Sequence, residues 1–272
     1  MPGTPPMLEP LTLPFMQRAL AAGVLVGFLA SYYGVFVVQR RQAFLGSGLG
    51  HAAFGGIGLG VLLGIEPIWV ALPYTVAAAI AIVLVERRTA LATDTVIGIF
   101  FAVSMSIGVL CLALKEGFSG EAYTYLFGSI LYTTPADLIT ALAVSLATLA
   151  AAPYWKRWAY ATFDPNLARA DRIPVLKDDL LLAAAIAVAI AVSIKIVGIL
   201  LIAAFLVLPA ATARLAARTF ANMTQWAVAI GITTALAGLL LSYHFNLPSG
   251  PTIILLQAAL FFITMLCARG KH

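Results

Sequence analysis

Long apolar runs separated by short polar connections make up nearly the whole chain. A helix needs about 20 mostly apolar residues to cross the hydrocarbon core of a bilayer. Stretches that approach this length cover residues 19–38, 44–64, 67–85, 95–114, 136–152, 180–194, 196–213, 225–243 and 251–268. The pattern predicts an all-α fold, a polytopic transmembrane helical bundle of about 8–9 spans.

The composition agrees with a membrane protein. Of the 272 residues, 62% are hydrophobic and 10% are charged, whereas a soluble domain carries roughly 25% charged residues. So little charge cannot cover a surface that faces water, and we therefore expect the lipid bilayer to be the solvent. No Lys/Arg run is interleaved with aromatic residues, so no nucleic-acid partner is expected. Cys111 and Cys267 lie in apolar stretches, which favours free buried thiols over a disulfide framework.

The spans are predicted to form one transmembrane domain over residues 18–268. An N-terminal lead-in of residues 1–17 precedes this domain, and a tail of residues 269–272 follows it. Prolines interrupt any apolar core in the lead-in, so it does not resemble a secretory signal. These prolines are Pro2, Pro5, Pro6, Pro10 and Pro14. The longest polar stretch, residues 153–179, is too short for a folded enzymatic domain and predicts a connection between spans.

Lys and Arg residues fall mainly on one side of the predicted bundle. With nine spans and the N-terminus outside, the outer side keeps Arg18, Lys115 and Lys195. The inner side receives Arg40, Arg41, Arg87, Arg88, Lys156, Arg157, Arg169, Arg172, Lys177, Arg214, Arg218, Arg269 and Lys271. Because Lys and Arg concentrate in cytoplasmic connections, we predict a multi-pass protein of the cytoplasmic (inner) membrane with a cytoplasmic C-terminus.

The sequence contains no phosphate-binding loop of the form GxxxxGK[ST]. ATP hydrolysis by that route is therefore excluded, and the chain is not expected to be an enzyme. The second span is instead rich in small residues, with Gly56, Gly60 and Gly64 at intervals of one helical turn. Small side chains let membrane helices approach closely. We interpret this stretch as tight packing, either within the bundle or across a dimer axis.

His51 is an ionisable residue inside the second span, where polar groups are costly and usually face a cavity or a partner. Ser47 precedes it by one helical turn and therefore lies on the same helical face. An imidazole beside a hydroxyl can transiently coordinate a passing cation. The alternative is a histidine hydrogen-bonded to a neighbouring helix, and the residues alone leave both interpretations open.

Two further segments differ from the spans. Residues 209–220 contain Pro209, which removes a backbone donor and should kink a helix, and Arg214 and Arg218, which lie one turn apart. This segment is either a positive-inside anchor or a short helix that docks a cytoplasmic partner. Residues 115–135 are semi-polar and rich in aromatic residues, which predicts a surface or partly re-entrant helix at the outer face.

Four stretches, taken together and in order, resemble the permeases of the zinc/manganese/iron class of ABC importers, the ABC-3 family. The first is RRQAFLG at residues 40–46, which runs into HAAFG at residues 51–55. The second is TDTVIGIFF at residues 93–101, and the third is YLFGSIL at residues 125–131. The last combines VGILL at residues 197–201, LPAATAR at residues 208–214 and LPSGPTI at residues 247–253. The resemblance covers nearly the whole chain.

The resemblance implies a particular assembly. This subunit, or a closely similar pair, would form a homodimer, with a divalent metal ion translocated along the interface. Two separate ATP-binding subunits would hold ATP and Mg²⁺ on the cytoplasmic face, and an extracytoplasmic metal-binding protein would deliver the metal. The chain itself would bind no cofactor.

The same resemblance assigns roles to the two unusual segments. Residues 209–220 resemble the coupling helix that is inserted into the ATPase, and residues 121–132 resemble the outer gate. The coupling residues would be Pro209, Thr212, Arg214 and Arg218. The gate residues would be Glu121, Tyr125 and Phe127.

The chain departs from the family pattern in the second span. Family members usually carry Gly-Asp-x-Leu-Ser-His where this chain has GSGLGH at residues 46–51. The histidine is retained, and the carboxylate one turn before it is replaced by Ser47. Because the chain has lost a hard anionic ligand, zinc is favoured over manganese or iron. His51 and Ser47 are assigned to the substrate pathway, with His51 as a transient metal ligand.

Two other transport functions stay open. A permease for a metal chelate or another small solute would need no ligands for a bare ion, in keeping with Ser47. A stand-alone secondary transporter or channel would move its substrate without ATP. Ionisable groups are nearly absent from the spans, which argues against a proton- or ion-coupled relay.

Overall fold

The computed structural model describes residues 13–115, 128, 130 and 133–269, and every regular element within them is helical. The described α-helices are α1 (Pro14–Gln39), α2 (Leu45–Leu63), α3 (Pro67–Arg88), α4 (Thr93–Leu114), α5 (Pro135–Ala150), α6 (Trp155–Phe163), α7 (Pro165–Ala170), α8 (Val175–Val197), α9 (Ile199–Ala216), α10 (Phe220–Phe245) and α11 (Ser249–Arg269). A single 3₁₀ turn, Ala152–Tyr154, separates α5 from α6. Most of the predicted lead-in and the end of the predicted tail lie outside the described residues.

Eight of these helices, α1 to α4 and α8 to α11, are long and apolar enough to cross a membrane. Helix α5 has 16 residues, which is too short for a complete span. It passes the same test only together with residues 152–163, at an angle of 46°. The predicted all-α bundle of 8–9 spans is therefore confirmed, except that residues 136–152 are one arm of a broken element. Pro153 lies in the 3₁₀ turn at the bend, where its ring interrupts helical hydrogen bonding.

The helix ends follow from local sequence. Proline stands in the first turn of α1, α3 and α5, where the missing N–H would have no helical acceptor. Helix α1 accordingly begins at Pro14 rather than near Arg18. Thr134 and Asp137 form a capping box at the start of α5, with the Thr134 N–H donating to Asp137 Oδ2 over 2.9 Å. Gly64 ends α2 with a left-handed φ of 70°, which glycine adopts without steric cost.

Helix α2 packs closely against α3, α4 and α9, and its glycines make these close approaches possible. A Cβ added to Gly56 would lie 2.6 Å from the Ala71 Cα of α3, and one on Gly58 would lie 2.7 Å from the Gly108 oxygen of α4. A Cβ on Gly46 would lie 3.1 Å from the Ala203 Cα of α9. The small residues therefore serve packing within this chain, the first of the two alternatives drawn from the sequence.

We expect Gly58→Ala to lower the free energy of unfolding by about 1–3 kcal/mol, because the new methyl group would meet backbone atoms that cannot move aside. Gly98→Ala is the matched control, since a Cβ there would meet nothing within 4 Å. The control should gain up to about 1 kcal/mol from helix propensity. Unfolding in mixed micelles, followed by circular dichroism, measures both. Equal stabilities would contradict the packing assigned to Gly58.

Ion pairs hold together one end of the bundle, here called the basic end. Asp179 at the start of α8 accepts hydrogen bonds from Arg40 over 2.9 Å and from Arg87 over 2.6 Å. The neighbouring Asp178 accepts two bonds from Arg157 Nη2 of α6, over 2.9 and 3.1 Å. These contacts fasten α1, α3 and α6 to the first turn of α8.

The opposite end of the bundle is tied together by different contacts. Lys195 near the end of α8 pairs with Asp137 of α5 over 2.8 Å. Gly128 and Gly198 both have left-handed backbones, with φ of 63° and 94°, and they lie against each other closely enough to exclude any side chain. Ile130 is 1% exposed. Residue 128 is thereby seated against the junction between α8 and α9, and Ile130 belongs to the buried core.

Candidate substrate-pathway site

Ser47 and His51 lie on the one strip of α2 that its neighbours do not cover. The first four turns of α2 are buried except at these two positions and Leu59, which are half-buried. Gly48, Gly55 and Gly58 face α4, and Gly46 and Gly50 face α9. The partly open strip therefore carries a hydroxyl and an imidazole one turn apart, as the sequence predicts.

The histidine is oriented by its own helix. His51 Nδ1 lies 2.9 Å from the backbone oxygen of Ser47. A carbonyl oxygen only accepts, so Nδ1 carries the proton in this contact, and in the neutral form of the ring Nε2 has the lone pair. A ring nitrogen fixed in this way leaves the other one ready to bind a metal. Nδ1 therefore bonds within α2, and not to a neighbouring helix as the alternative interpretation predicts.

An aromatic ring forms a wall beside the imidazole. The ring centroids of His51 and Phe101 of α4 are 4.2 Å apart at an interplanar angle of 47°. Phe44, which precedes α2, extends this wall, with its centroid 5.8 Å from that of Phe101. In the sequence, residues 93–101 indicate only a family resemblance, and no pattern there predicts a role for Phe101. Its position beside His51 depends on how α4 packs on α2.

The described residues of a single copy do not complete a metal-binding site. Within the described part of the chain, no three His, Cys, Asp or Glu residues are grouped so that they could hold a metal ion. Zinc sites in proteins use three or four protein ligands. One imidazole and one hydroxyl can therefore give only a weak, transient contact to a passing ion unless another molecule supplies further ligands.

The segment predicted to couple to an ATPase is not a separate helix. Residues 209–216 continue α9, and the chain turns at residues 217–219 before α10. Pro209 and Thr212 are buried, and the Thr212 hydroxyl donates to the Leu208 oxygen over 2.8 Å. Arg214 and Arg218 are exposed at the basic end, where Arg214 Nη1 donates to the Val38 oxygen over 3.2 Å. Of the four predicted coupling residues, the two arginines are therefore accessible to a partner, whereas Pro209 and Thr212 are not.

The residues predicted for the outer gate, Glu121, Tyr125 and Phe127, lie outside the described residues. Their two described neighbours, at positions 128 and 130, pack at the opposite end of the bundle from the basic end. The gate assignment therefore stays a prediction. The polar stretch 153–179, predicted only as a connection, contains α6 and α7 at the basic end.

Known proteins match this chain over almost its full length. The family model of the ABC 3 transport family matches residues 12–268. The high-affinity zinc uptake system membrane protein ZnuB of Haemophilus influenzae is 33% identical over 250 residues, covering 91% of this chain and 95% of ZnuB. The manganese transport system membrane protein MntC of Listeria innocua is 29% identical over 255 residues, covering 93% of this chain and 91% of MntC.

A solved structure shows the same architecture. PsaBC from Streptococcus pneumoniae, in complex with Fab, superposes with a TM-score of 0.84 at 29% sequence identity. The match covers 95% of this chain and 94% of the chain in that structure. Together with the family match over residues 12–268, this shows that the chain belongs to the ABC 3 transport family, as a multi-pass, non-catalytic permease subunit.

Proposed function

We propose that the chain is the membrane-spanning permease of an ATP-driven importer of a divalent metal ion, with zinc as the favoured cargo. The observation that carries the proposal is His51, an imidazole on the partly open strip of α2 whose Nδ1 contacts the Ser47 oxygen over 2.9 Å. Imidazole suits zinc, whereas manganese prefers carboxylate oxygen. This chain has Ser47 at the position where the family usually has that carboxylate.

The family match and the small number of metal ligands among the described residues support the assembly that we propose. A second copy of the permease would bring a second His51 toward the translocation path, which supports a homodimer. Two ATP-binding subunits would supply the energy with ATP and Mg²⁺, since the sequence has no phosphate-binding loop of its own. An extracytoplasmic metal-binding protein would deliver the ion, and closure of the ATPases would rock the two permeases between outward and inward states.

The basic end supports an orientation. Arg40, Arg87, Arg157, Arg214 and Arg218 all lie there. Because arginine and lysine concentrate on the cytoplasmic side of membrane proteins, we place this end, and with it the C-terminus, in the cytoplasm. Residues 128 and 130 then belong to the outer side, in keeping with an outer gate formed by the neighbouring Glu121, Tyr125 and Phe127.

The exposed surface at the basic end suggests where the ATPase docks. Phe163 at the end of α6 and Leu167 of α7 are 57% and 51% exposed, at the point where the broken element α5–α6 ends and the short helix α7 begins. Apolar side chains exposed outside a membrane favour a partner that covers them. We therefore assign docking to α6 and α7 together with Arg214 and Arg218. Pro209 and Thr212 would act by shaping the end of α9.

We expect Arg218→Glu to weaken association with the ATP-binding subunit by about tenfold, because the reversed charge would oppose its partner at the rim of the contact. Arg218 is preferable to Arg214, whose side chain also holds the end of α1. Arg18→Glu at the opposite end is the matched control. Co-purification and ATPase stimulation measure the effect. An intact complex with full ATPase activity for Arg218→Glu would mean that this arginine lies outside the docking surface.

The function itself is tested by transport. The permease, its ATP-binding subunit and its metal-binding protein are reconstituted in liposomes, and uptake of zinc, manganese and iron is measured with and without ATP. We expect ATP-dependent uptake of one metal, zinc first, that requires both partners. Uptake without ATP would overturn the importer and favour a channel or secondary transporter.

A second candidate, the permease of a metal chelate or another small solute, is favoured by the missing carboxylate at Ser47. A chelated metal brings its own ligands, so a single imidazole per chain would suffice to contact it. The same liposomes distinguish the two. ATP hydrolysis without uptake of any free metal would favour the chelate.

A further inference from the structure

A cavity of about 500 Å³ opens at the basic end, where α1, α3, α7 and α8 meet. This volume lies within the range of small-molecule sites in proteins, roughly 300–1,000 Å³. The cavity is separate from the strip of α2 that carries His51, and neither the transported ion nor the family match gives it a role. Its lining combines charged residues from the helix ends with apolar residues from the spans.

The charged part of the lining has an excess of arginine. Arg40, Arg41, Arg87 and Arg169 line the cavity, against the two carboxylates Asp179 and Glu86. Both oxygens of Asp179 are used, one by Arg40 and one by Arg87. Within the described residues, Arg41 and Arg169 form no ion pair, and Arg40 Nη2 is buried without a hydrogen-bond partner. The cavity therefore presents more positive charge than its own acids neutralise.

The backbone gives Arg41 a notable position. Its φ of 58° is left-handed, a conformation that glycine or asparagine usually supplies after a helix. The turn that this conformation makes, closed by the Gln42 N–H on the Val37 oxygen over 2.9 Å, sets a second arginine beside Arg40. Arg41 thus has a sterically unfavourable φ, and its side chain lines the cavity.

The rest of the lining is apolar. Phe36 of α1, Ile82 of α3, and Leu182 and Ile186 of α8 contribute to it and are buried. A ligand that fits must therefore bear a negative group for the guanidinium groups and tolerate an apolar surface beside them. Arginine binds phosphate well, because its planar fork can donate two parallel hydrogen bonds to phosphate oxygens.

We propose that this cavity binds a phosphate group, carried by the headgroup of an anionic phospholipid or by a soluble phosphate compound. The arginines of the basic end would then do more than orient the chain in the membrane. If they served only as positive-inside anchors, the arginines that line the cavity would be interchangeable with Arg88, which lies at the same helix end and does not line it. The proposal does not depend on the identity of the cargo.

The test measures thermal stability and ligand affinity of the full chain in nanodiscs. One arm compares phosphatidylcholine alone with equal parts of phosphatidylcholine and phosphatidylglycerol. The other adds inorganic phosphate to phosphatidylcholine nanodiscs, against chloride at the same ionic strength. Stabilisation by phosphatidylglycerol alone identifies a lipid headgroup, and stabilisation by phosphate identifies a soluble ligand. Stabilisation by neither would overturn the proposal.

Substitutions locate the response. In the double variant Arg41→Gln with Arg169→Gln, which leaves the ion pairs of Asp179 intact, the affinity for the stabilising ligand should fall by roughly tenfold. Arg88→Gln should keep the wild-type response. A double variant that responds like wild type, or a control that loses as much, would place the binding elsewhere. Should the double variant not fold, Arg169→Gln alone on exposed α7 serves, with a smaller expected loss.

Discussion

His51→Ala is expected to reduce ATP-dependent metal uptake by roughly ten- to a hundredfold, the range in which loss of an outer-shell partner weakens a metal site. The imidazole has an Nδ1 contact to the Ser47 oxygen over 2.9 Å, and alanine would remove the nitrogen ligand that we propose for the passing ion. The described residues hold no alternative cluster of ligands. Uptake of radioactive or dye-detected zinc into liposomes measures the effect.

A second histidine provides the control for this experiment. His244 is exposed near the end of α10, at the end of the bundle away from the arginines. His244→Ala should transport at the wild-type rate, and His51→Ala should still assemble with its ATPase and hydrolyse ATP. Unchanged free-metal uptake in His51→Ala would remove this residue from the ion pathway and strengthen the chelate alternative.

The same position allows a gain of function. Ser47→Asp would restore a hard carboxylate one turn before His51, and manganese prefers such oxygen ligands. We expect the ratio of manganese to zinc uptake to rise in this variant, while Ser47→Ala should leave the ratio unchanged. An unaltered ratio in Ser47→Asp would show that residue 47 does not contact the ion.

Arg157→Ala is expected to destabilise the fold by about 3 kcal/mol at neutral pH, the largest stability effect we expect for a single substitution. The side chain of Asp178 is 1% exposed and that of Arg157 is 41% exposed. Removing the arginine leaves a buried carboxylate without the partner that holds both of its oxygens. The loss would also remove the ion pair that links α6 to α8. Unfolding in mixed micelles measures the change in free energy.

The unequal burial of the two partners predicts an asymmetry. Asp178→Asn should cost less than Arg157→Ala, because the freed guanidinium can turn toward water. The two changes combined should cost less than their sum, since the uncompensated buried charge is gone. Asp171→Ala, which removes an exposed carboxylate bound to Tyr160, is the control and should change stability little. Additive losses would refute the buried pair as the source of the effect.

The sequence by itself determined the class of fold. Apolar stretches about one bilayer thick predict spans directly, because an unpaired backbone in lipid must form its hydrogen bonds within a helix. Local rules also set details, such as the end of α2 at Gly64, whereas the start of α1 lies at Pro14 and not near Arg18 as the sequence predicts. The pairing of Ser47 with His51 on one face follows from helical periodicity alone.

The tertiary structure decided what depends on contacts between distant residues. Sequence spacing says that α2 has close neighbours, but only the packing shows that α3, α4 and α9 take the glycine faces and leave Ser47 and His51 partly open. Likewise, Pro209 and Thr212 look like surface residues beside two arginines, and the continuation of α9 buries them.

The arginine cavity shows the same limit most clearly. Arg40 and Asp179 are 139 positions apart in the sequence and 2.9 Å apart in space. Helical periodicity relates residues within a few turns of each other. A pair such as Arg40 and Asp179 forms only after α1, α3 and α8 have packed against one another. The sequence therefore determined which segments cross the membrane and which single residues are unusual there, and the packing of the helices decided which of those residues meet.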